Sequence, residues 1–243
     1  MMEKEDLITI GEAASRLGVS LNTLRRWDES GKLPATRKSP GGDRYYSEKD
    51  LDILIHDEFK LAYEWAVSDT STEIPEMFYC PNSAIFQGRL MKMQALITKM
   101  PDLQELFSLV VAVTGEIGNN SFDHNLGNWP DVAGVFFGYN VENRSIVLAD
   151  RGLGILKTLQ RVRPQLDNHK DALQVAFTEI ISGRSPEERG NGLKFVRNVV
   201  AANPISLVFQ SGDYQLEIEK ETSNLDIKRA DKLIRGCIAL IKF

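Results

Sequence analysis

The chain has 243 residues, 42% hydrophobic and 26% charged, an ordinary globular balance that allows one large domain or two small ones. Its net charge of −5 argues against a general nucleic-acid binder, and no stretch approaches the roughly 18 apolar residues of a membrane span. Two cysteines far apart, Cys80 and Cys237, imply no disulfide framework, and the acidic N-terminus has no signal pattern, so a reducing cytoplasm is expected. The charge is uneven: residues 11–49 hold eight Lys/Arg against five acids, which points to two modules with different partners.

In chain order, "LITIGEAASRLGVSLNTLRRWDESGKL" predicts two short helices around a tight turn. Thr9 and Glu12 have capping-box spacing, Gly18 suits a helix end, and Ser20 suits an N-cap. Ala13, Ala14, Leu17, Val19, Leu21, Leu24 and Trp27 form the expected core, leaving Asn22, Thr23, Arg25 and Arg26 outward. Pro40, Gly41 and Gly42 make a turn between two extended pieces, flanked by Arg37, Lys38 and Arg44. Ser47 and Asp50 again have capping-box spacing, before one longer helix through residue 67.

The segments "TIGEAASRLGVSLNTLRRWDESGKL" and "GGDRYYSEKDL" resemble the winged helix-turn-helix of the MerR and excisionase type, over about a fifth of the chain. The resemblance implies that helix 20–30 enters the major groove of double-stranded DNA. Arg25 and Arg26 would hold phosphates or base edges, with Asn22 and Thr23 beside them and Arg37, Lys38 and Arg44 on the wing. One such domain covers one half-site, so a homodimer is expected. Residues 1–58 are assigned to this domain and 59–100 to a linker with a lead-in helix.

Next, "DLQELFSLVVAVTGEIGNNSFDHN" has helical apolar spacing that ends in Glu116, Asn120 and Asp123/His124 at steps of about four. A mostly buried helix that ends one face in hydrogen-bonding groups suits a cleft for a polar ligand. "VAGVFFGYN" and "SIVLAD" predict a hairpin that runs into "DRGLGI", where an acid precedes two alternating glycines. "RSPEERGNGLKFVRNVV" leads to Gly190 and Gly192 at a helix start, a setting that binds phosphate.

Together these three stretches resemble the ATP-binding domain shared by gyrase, heat-shock chaperones, sensor histidine kinases and mismatch-repair proteins. The ordered boxes are Glu116-x-x-x-Asn120-x-x-x-His124, "DRGLGI" and "GNGL", and "GCIALIKF" looks like the closing strand. The resemblance implies an α+β chain: the winged domain, then a two-layer α/β sandwich with a mixed sheet over residues 101–243. It also implies ATP and Mg²⁺ as cofactors. Asp150 would accept from the adenine amino group, and Asn120 would hold Mg²⁺, beside His124. Glu116 would orient water if hydrolysis occurs, and Gly152 and Gly154 would let nucleotide approach. Gly190 and Gly192 would bind phosphate under a lid at 182–190, with Arg184, Arg189 and Lys194 meeting its charge.

A dinucleotide fold is excluded because Lys157 stands where a third glycine is needed, and "GNGLK" lacks the P-loop pattern. The histidines and cysteines show no metal-ligand spacing. "LIHDEF" mimics a phospho-acceptor box, but His56 sits on the helix that closes the winged domain. The expectation is therefore an ATP-responsive DNA-binding regulator, without membrane contact. The alternative is an ATPase or protein kinase anchored to DNA, or an anti-sigma-like or antitoxin-like binder of a partner protein.

Overall fold

The computed structural model describes residues 7–70, 73–179 and 192–243. The chain begins with β1 (Leu7–Thr9), α1 (Ile10–Leu17) and α2 (Leu21–Ser30), then the wing strands β2 (Arg37–Lys38) and β3 (Arg44–Ser47), and α3 (Glu48–His56). The capping box forms as expected: Glu12 accepts from the Thr9 amide at 2.8 Å, and Thr9 Oγ1 from the Glu12 amide at 3.3 Å. Gly18 ends α1 at φ 62°, in the left-handed region. Ser20 caps α2 through the Thr23 amide at 3.2 Å. The three strands pair antiparallel in the order β1-β3-β2 over a core of Ala13, Leu17, Leu24, Trp27 and Tyr46.

Three expectations fail here. Ser47 opens α3 without a side-chain cap; Thr36 Oγ1 takes the Ser47 amide at 2.8 Å instead. The single long helix is two helices. Asp57 leaves helical geometry at ψ 64° and its carboxylate accepts from the Lys60 amide at 3.1 Å, capping α4 (Glu58–Val67). Leu21, expected in the core, is 42% exposed on the first turn of α2.

The rest of the described chain builds one seven-stranded sheet. Its strands are β4 (Tyr79–Cys80), β5 (Val135–Asn140), β6 (Ser145–Asp150), β7 (Ser206–Ser211), β8 (Tyr214–Ile218), β9 (Asp226–Arg229) and β10 (Cys237–Lys242). They lie in the order β4-β5-β6-β10-β7-β8-β9. Every pairing among the described strands is antiparallel, so the expected mixed sheet is corrected. The physical reason is connection length: β5–β6 and β7–β8 are joined by short turns, which reverse direction, and β10 returns between them.

Strand alternation divides the side chains between two faces. Val135, Phe137, Ile146, Leu148, Phe209 and Ile241 face one way, under α5 (Ser83–Ile97), α6 (Phe107–Asn125), α8 (His169–Thr178) and α9 (Gly192–Ala202). Phe136, Val147, Ala149 and Ile238 face the other way, where Leu61, Ala62, Trp65 and Ala66 of α4 cover them. The expected two layers therefore gain a third over part of the sheet, and part of the stretch assigned to a linker is built into the core.

A short helix, α7 (Gly154–Gln160), follows β6. Trp65 is 1% exposed, and its carbonyl accepts from the fully buried Arg151 guanidinium. Arg151 also donates to Asp131 at 2.6 and 3.0 Å. Trp65→Ala is expected to cost about 3–5 kcal/mol, read as a lower urea midpoint; a midpoint within experimental error of the parent would remove α4 from the core.

Candidate functional site

Three segments meet along the polar end of α6. Its apolar side, Val110, Val113 and Ile117, is buried in the core, which fixes the rotation of the helix. That rotation carries Glu116 and Asn120 to the first residue of α9. A side chain at Gly192 would collide with the Glu116 carboxylate and come within 3.1 Å of Asn120 Nδ2. A carboxylate and a carboxamide thus stand in front of a helix N-terminus, where the backbone favours negative charge. Lys194 lies half-buried in the first turn of α9, and His124 half-buried in the last turn of α6. Arg184, Arg189 and Gly190, with the lid assigned to 182–190, lie outside the described residues.

One step along α6, Ser121 Oγ donates to Asp150 Oδ2 at 2.8 Å. Asp150 Oδ1 accepts from the Gly152 amide at 2.8 Å. Asp150 ends β6 with 2% of its surface exposed. Burial pushes its carboxyl up to about 6, against the opposing pull of Ser121, Gly152 and the Cys237 amide. Asn125 accepts from the Leu153 amide at 2.8 Å and donates to the Ser121 carbonyl at 2.8 Å, pinning the glycine turn to the helix. Gly154 has φ 73°, and a side chain there would come within 3.2 Å of the Gly236 carbonyl.

Glu116, Asn120 and Gly192 are therefore joined to Asp150, Gly152 and Gly154 through a single helix. Oxygen donors on Glu116 and Asn120 suit a hard cation such as Mg²⁺. The absence of a side chain at Gly152 and Gly192 lets Asn125 and Glu116 approach the backbone closely. Sequence reasoning missed Ser121, Asn125 and Gly236. The first two stand in the stretch already singled out, but their partners are 28 or 29 residues away for the contacts that matter. Among the described residues, no cluster of three His, Cys, Asp or Glu could hold a metal, and no helix is long and apolar enough to cross a membrane.

The winged face is only partly as expected. Asn22, Arg25 and Arg26 are exposed on α2, with Arg25 donating to Asn22 at 2.8 Å and Arg26 to Thr23 at 3.2 Å. Thr23 is corrected: it is fully buried, and its hydroxyl donates to Glu73. On the wing, Arg37 stacks 4.6 Å from the centre of the Tyr45 ring. Lys38, still exposed, and Arg44 both pair with Asp28, at 2.8 and 2.6 Å. Burial opposes ionisation of Asp28, but Lys38, the Ala35 amide and Arg44 together hold its carboxyl well below the usual range. Those two wing cations are thus already neutralised in part, though Lys38, like Arg25, Arg26 and Arg37, stays exposed.

The family described as MerR family regulatory protein matches residues 9–46, which run from the cap of α1 into β3. The N-terminal segment is a MerR-family helix-turn-helix domain. Among curated proteins, the chain is 38% identical over 64 residues to the type II methyltransferase M.Eco47II of Escherichia coli, covering 26% of this chain and 15% of that one. It is 28% identical over 114 residues to the HTH-type transcriptional activator TipA of Streptomyces coelicolor, covering 44% and 45%. It is 42% identical over 52 residues to the transcriptional repressor DcmR of Methylorubrum extorquens, covering 21% and 20%. The chain spans less than half the length of each of these relatives.

Between the ordinary carboxyl value of 3.8 and about 6, the folded chain holds a proton on Asp150 that the unfolded chain has released. Stability therefore falls as pH rises through that window. Asp150→Asn can keep both hydrogen bonds, with its oxygen toward Gly152 and its amide toward Ser121. It is expected to raise Tm at pH 7 by about 2–4 °C, for a gain of about 1 kcal/mol. Calorimetry at pH 5 and pH 7 checks this; a lower Tm at pH 7 would contradict the burial argument.

Proposed function

We propose that the chain is a DNA-binding transcriptional regulator whose C-terminal domain binds Mg–ATP and uses it to tune DNA or partner binding. One observation carries the nucleotide reading. A buried acid, a carboxamide and a glycine-led helix start, drawn from three distant segments, are held together along α6. In this reading Asp150, ionised above about pH 6, accepts from the adenine amino group. Asn120 holds Mg²⁺, and Gly192 with Lys194 faces the phosphates. When bound, the metal would supply positive charge against the phosphate groups. Arg184 and Gly190, which lie outside the described residues, would meet phosphate charge in the same proposal.

The DNA reading rests on the MerR-family domain and on the exposed arginines of α2. The activator and repressor names of two relatives favour a regulator over an anchored enzyme. Because one winged domain covers one half-site, the working unit is a homodimer, and a cytoplasmic place follows from the role. Glu116 standing beside Asn120 favours slow ATP hydrolysis as a second reading, with Glu116 orienting water; steady phosphate release would support it.

A DNA-shift titration on the upstream region of the protein's own gene, with and without Mg–ATP, tests the proposal. Nucleotide is expected to move the DNA affinity of the parent chain, and Asn120→Ala is expected to abolish that response together with Mg–ATP binding in calorimetry. An unchanged nucleotide affinity in Asn120→Ala would sink the site. Arg25→Ala with Arg26→Ala is expected to weaken DNA binding at every sequence and to flatten the salt slope by about one per lost phosphate contact. An unaltered footprint would take α2 out of the interface.

A further inference from the structure

The amino end of α2 is the end from which a recognition helix reads DNA, and its free amides suit a phosphate. Here an internal carboxylate fills that place. Glu73 Oε2 accepts from the Ser20 amide at 3.1 Å and from the Thr23 hydroxyl. Arg26, bonded to Thr23, lies close enough to add a Coulombic attraction to Glu73. Glu73 is some fifty residues away in sequence and belongs to the segment that leads from α4 into β4.

The neighbourhood repeats the arrangement. Glu76 presses against Gly18, where a side chain would collide with it. Lys32, just beyond the far end of α2, pairs with Glu64 of α4 at 3.0 Å. Acids of α4 and of the segment after it thus meet both ends of α2, while the Asn22 and Arg25 face stays open. An open cleft of about 430 Å³ lies beside Glu73, lined by Val19, Trp65, Ile74, Tyr79 and Val132. The exposed Glu73 side chain can swing off these donors while its neighbours Ile74 and Phe78 stay in the core.

We propose that the Ser20 amide and Thr23 hydroxyl at the start of α2 form a DNA-phosphate site that Glu73 occupies from within, so that the winged domain binds DNA only by displacing its own acid. This explains why Thr23, which faces outward in the sequence pattern, is buried. DNA brings a phosphate to the same two donors and meets repulsion from Glu73 and Glu76 until the Glu73 side chain swings away. The inference rests on the DNA-binding reading of the winged domain and holds whether or not the C-terminal site takes nucleotide.

The test uses the full chain and a cognate duplex, without nucleotide, at about 100 mM salt, where charge contacts still count. Glu73→Gln keeps the shape and an accepting oxygen but removes the charge, and is expected to tighten DNA binding about five- to twentyfold. Glu73→Lys reverses the charge and is expected to tighten it further. Glu76→Gln removes an equal charge that makes no hydrogen bond to α2, and is expected to change affinity by about twofold at most. Helix content by circular dichroism is read for each variant, and if Glu73→Lys unfolds, Glu73→Gln decides. Binding by folded Glu73→Gln that is equal to or weaker than the parent would overturn the proposal and make Glu73 a plain helix cap. Equal tightening by Glu76→Gln would overturn the occupied-site argument in favour of general repulsion.

Discussion

A buried carboxylate has to be held, and the way Asp150 is held organises the C-terminal part of the chain. Its partners come from three places: Ser121 on α6, the Gly152 amide in the turn after β6, and the Cys237 amide on β10. Lose the rotation of α6, the turn, or the register of β10 against β6, and a desolvated acid is left with fewer donors than it needs. The apolar residues of α6 and the strand alternation that set this geometry are therefore doing two jobs: filling the core and supplying those donors. The result is a site whose first acid resists ionisation until about pH 6 yet is ionised at neutral pH.

The residue after Asp150 repeats the constraint on the opposite side of the sheet. Alternation along β6 sends Asp150 toward α6 and Arg151 toward α4. Arg151 is fully buried and satisfied by Asp131 and by the Trp65 carbonyl. A buried cation is tolerable only with such partners, and breaking one of them leaves an uncompensated charge. Two adjacent residues thus tie the candidate nucleotide turn to α6 on one face and to α4 on the other. Since only Asp57 separates α3 from α4, a physical path runs from the turn to the winged domain.

Local rules were legible in the sequence. The Thr9–Glu12 box, the Ser20 cap and the glycine ends of α1 and α2 depend on residues within a turn of each other, and all four form. The apolar spacing and polar end of α6 were legible for the same reason, and Glu116 and Asn120 do share a side that meets Gly192. Distant contacts were not legible. Nothing near Thr23 announces Glu73, and nothing near Ser47 announces that Thr36 will take its amide. The break at Asp57 was hidden because a capping acid inside a helical pattern looks like one more surface charge until its geometry is known. The directions of the strands followed from turn lengths, which the quoted hairpins contained, but the place of β10 between β6 and β7 follows from no local signal.

Placing α4 on the sheet also makes the winged domain hard to transplant. A fragment cut after Val67 would carry the winged domain away with four apolar residues, Leu61, Ala62, Trp65 and Ala66, facing water. A fragment beginning at Ser68 would leave Phe136, Val147, Ala149 and Ile238 bare on its own surface, a patch prone to self-association. The seam that nature could cut and rejoin lies at Asp57, so any recombined relative that keeps this sheet must also inherit or replace α4.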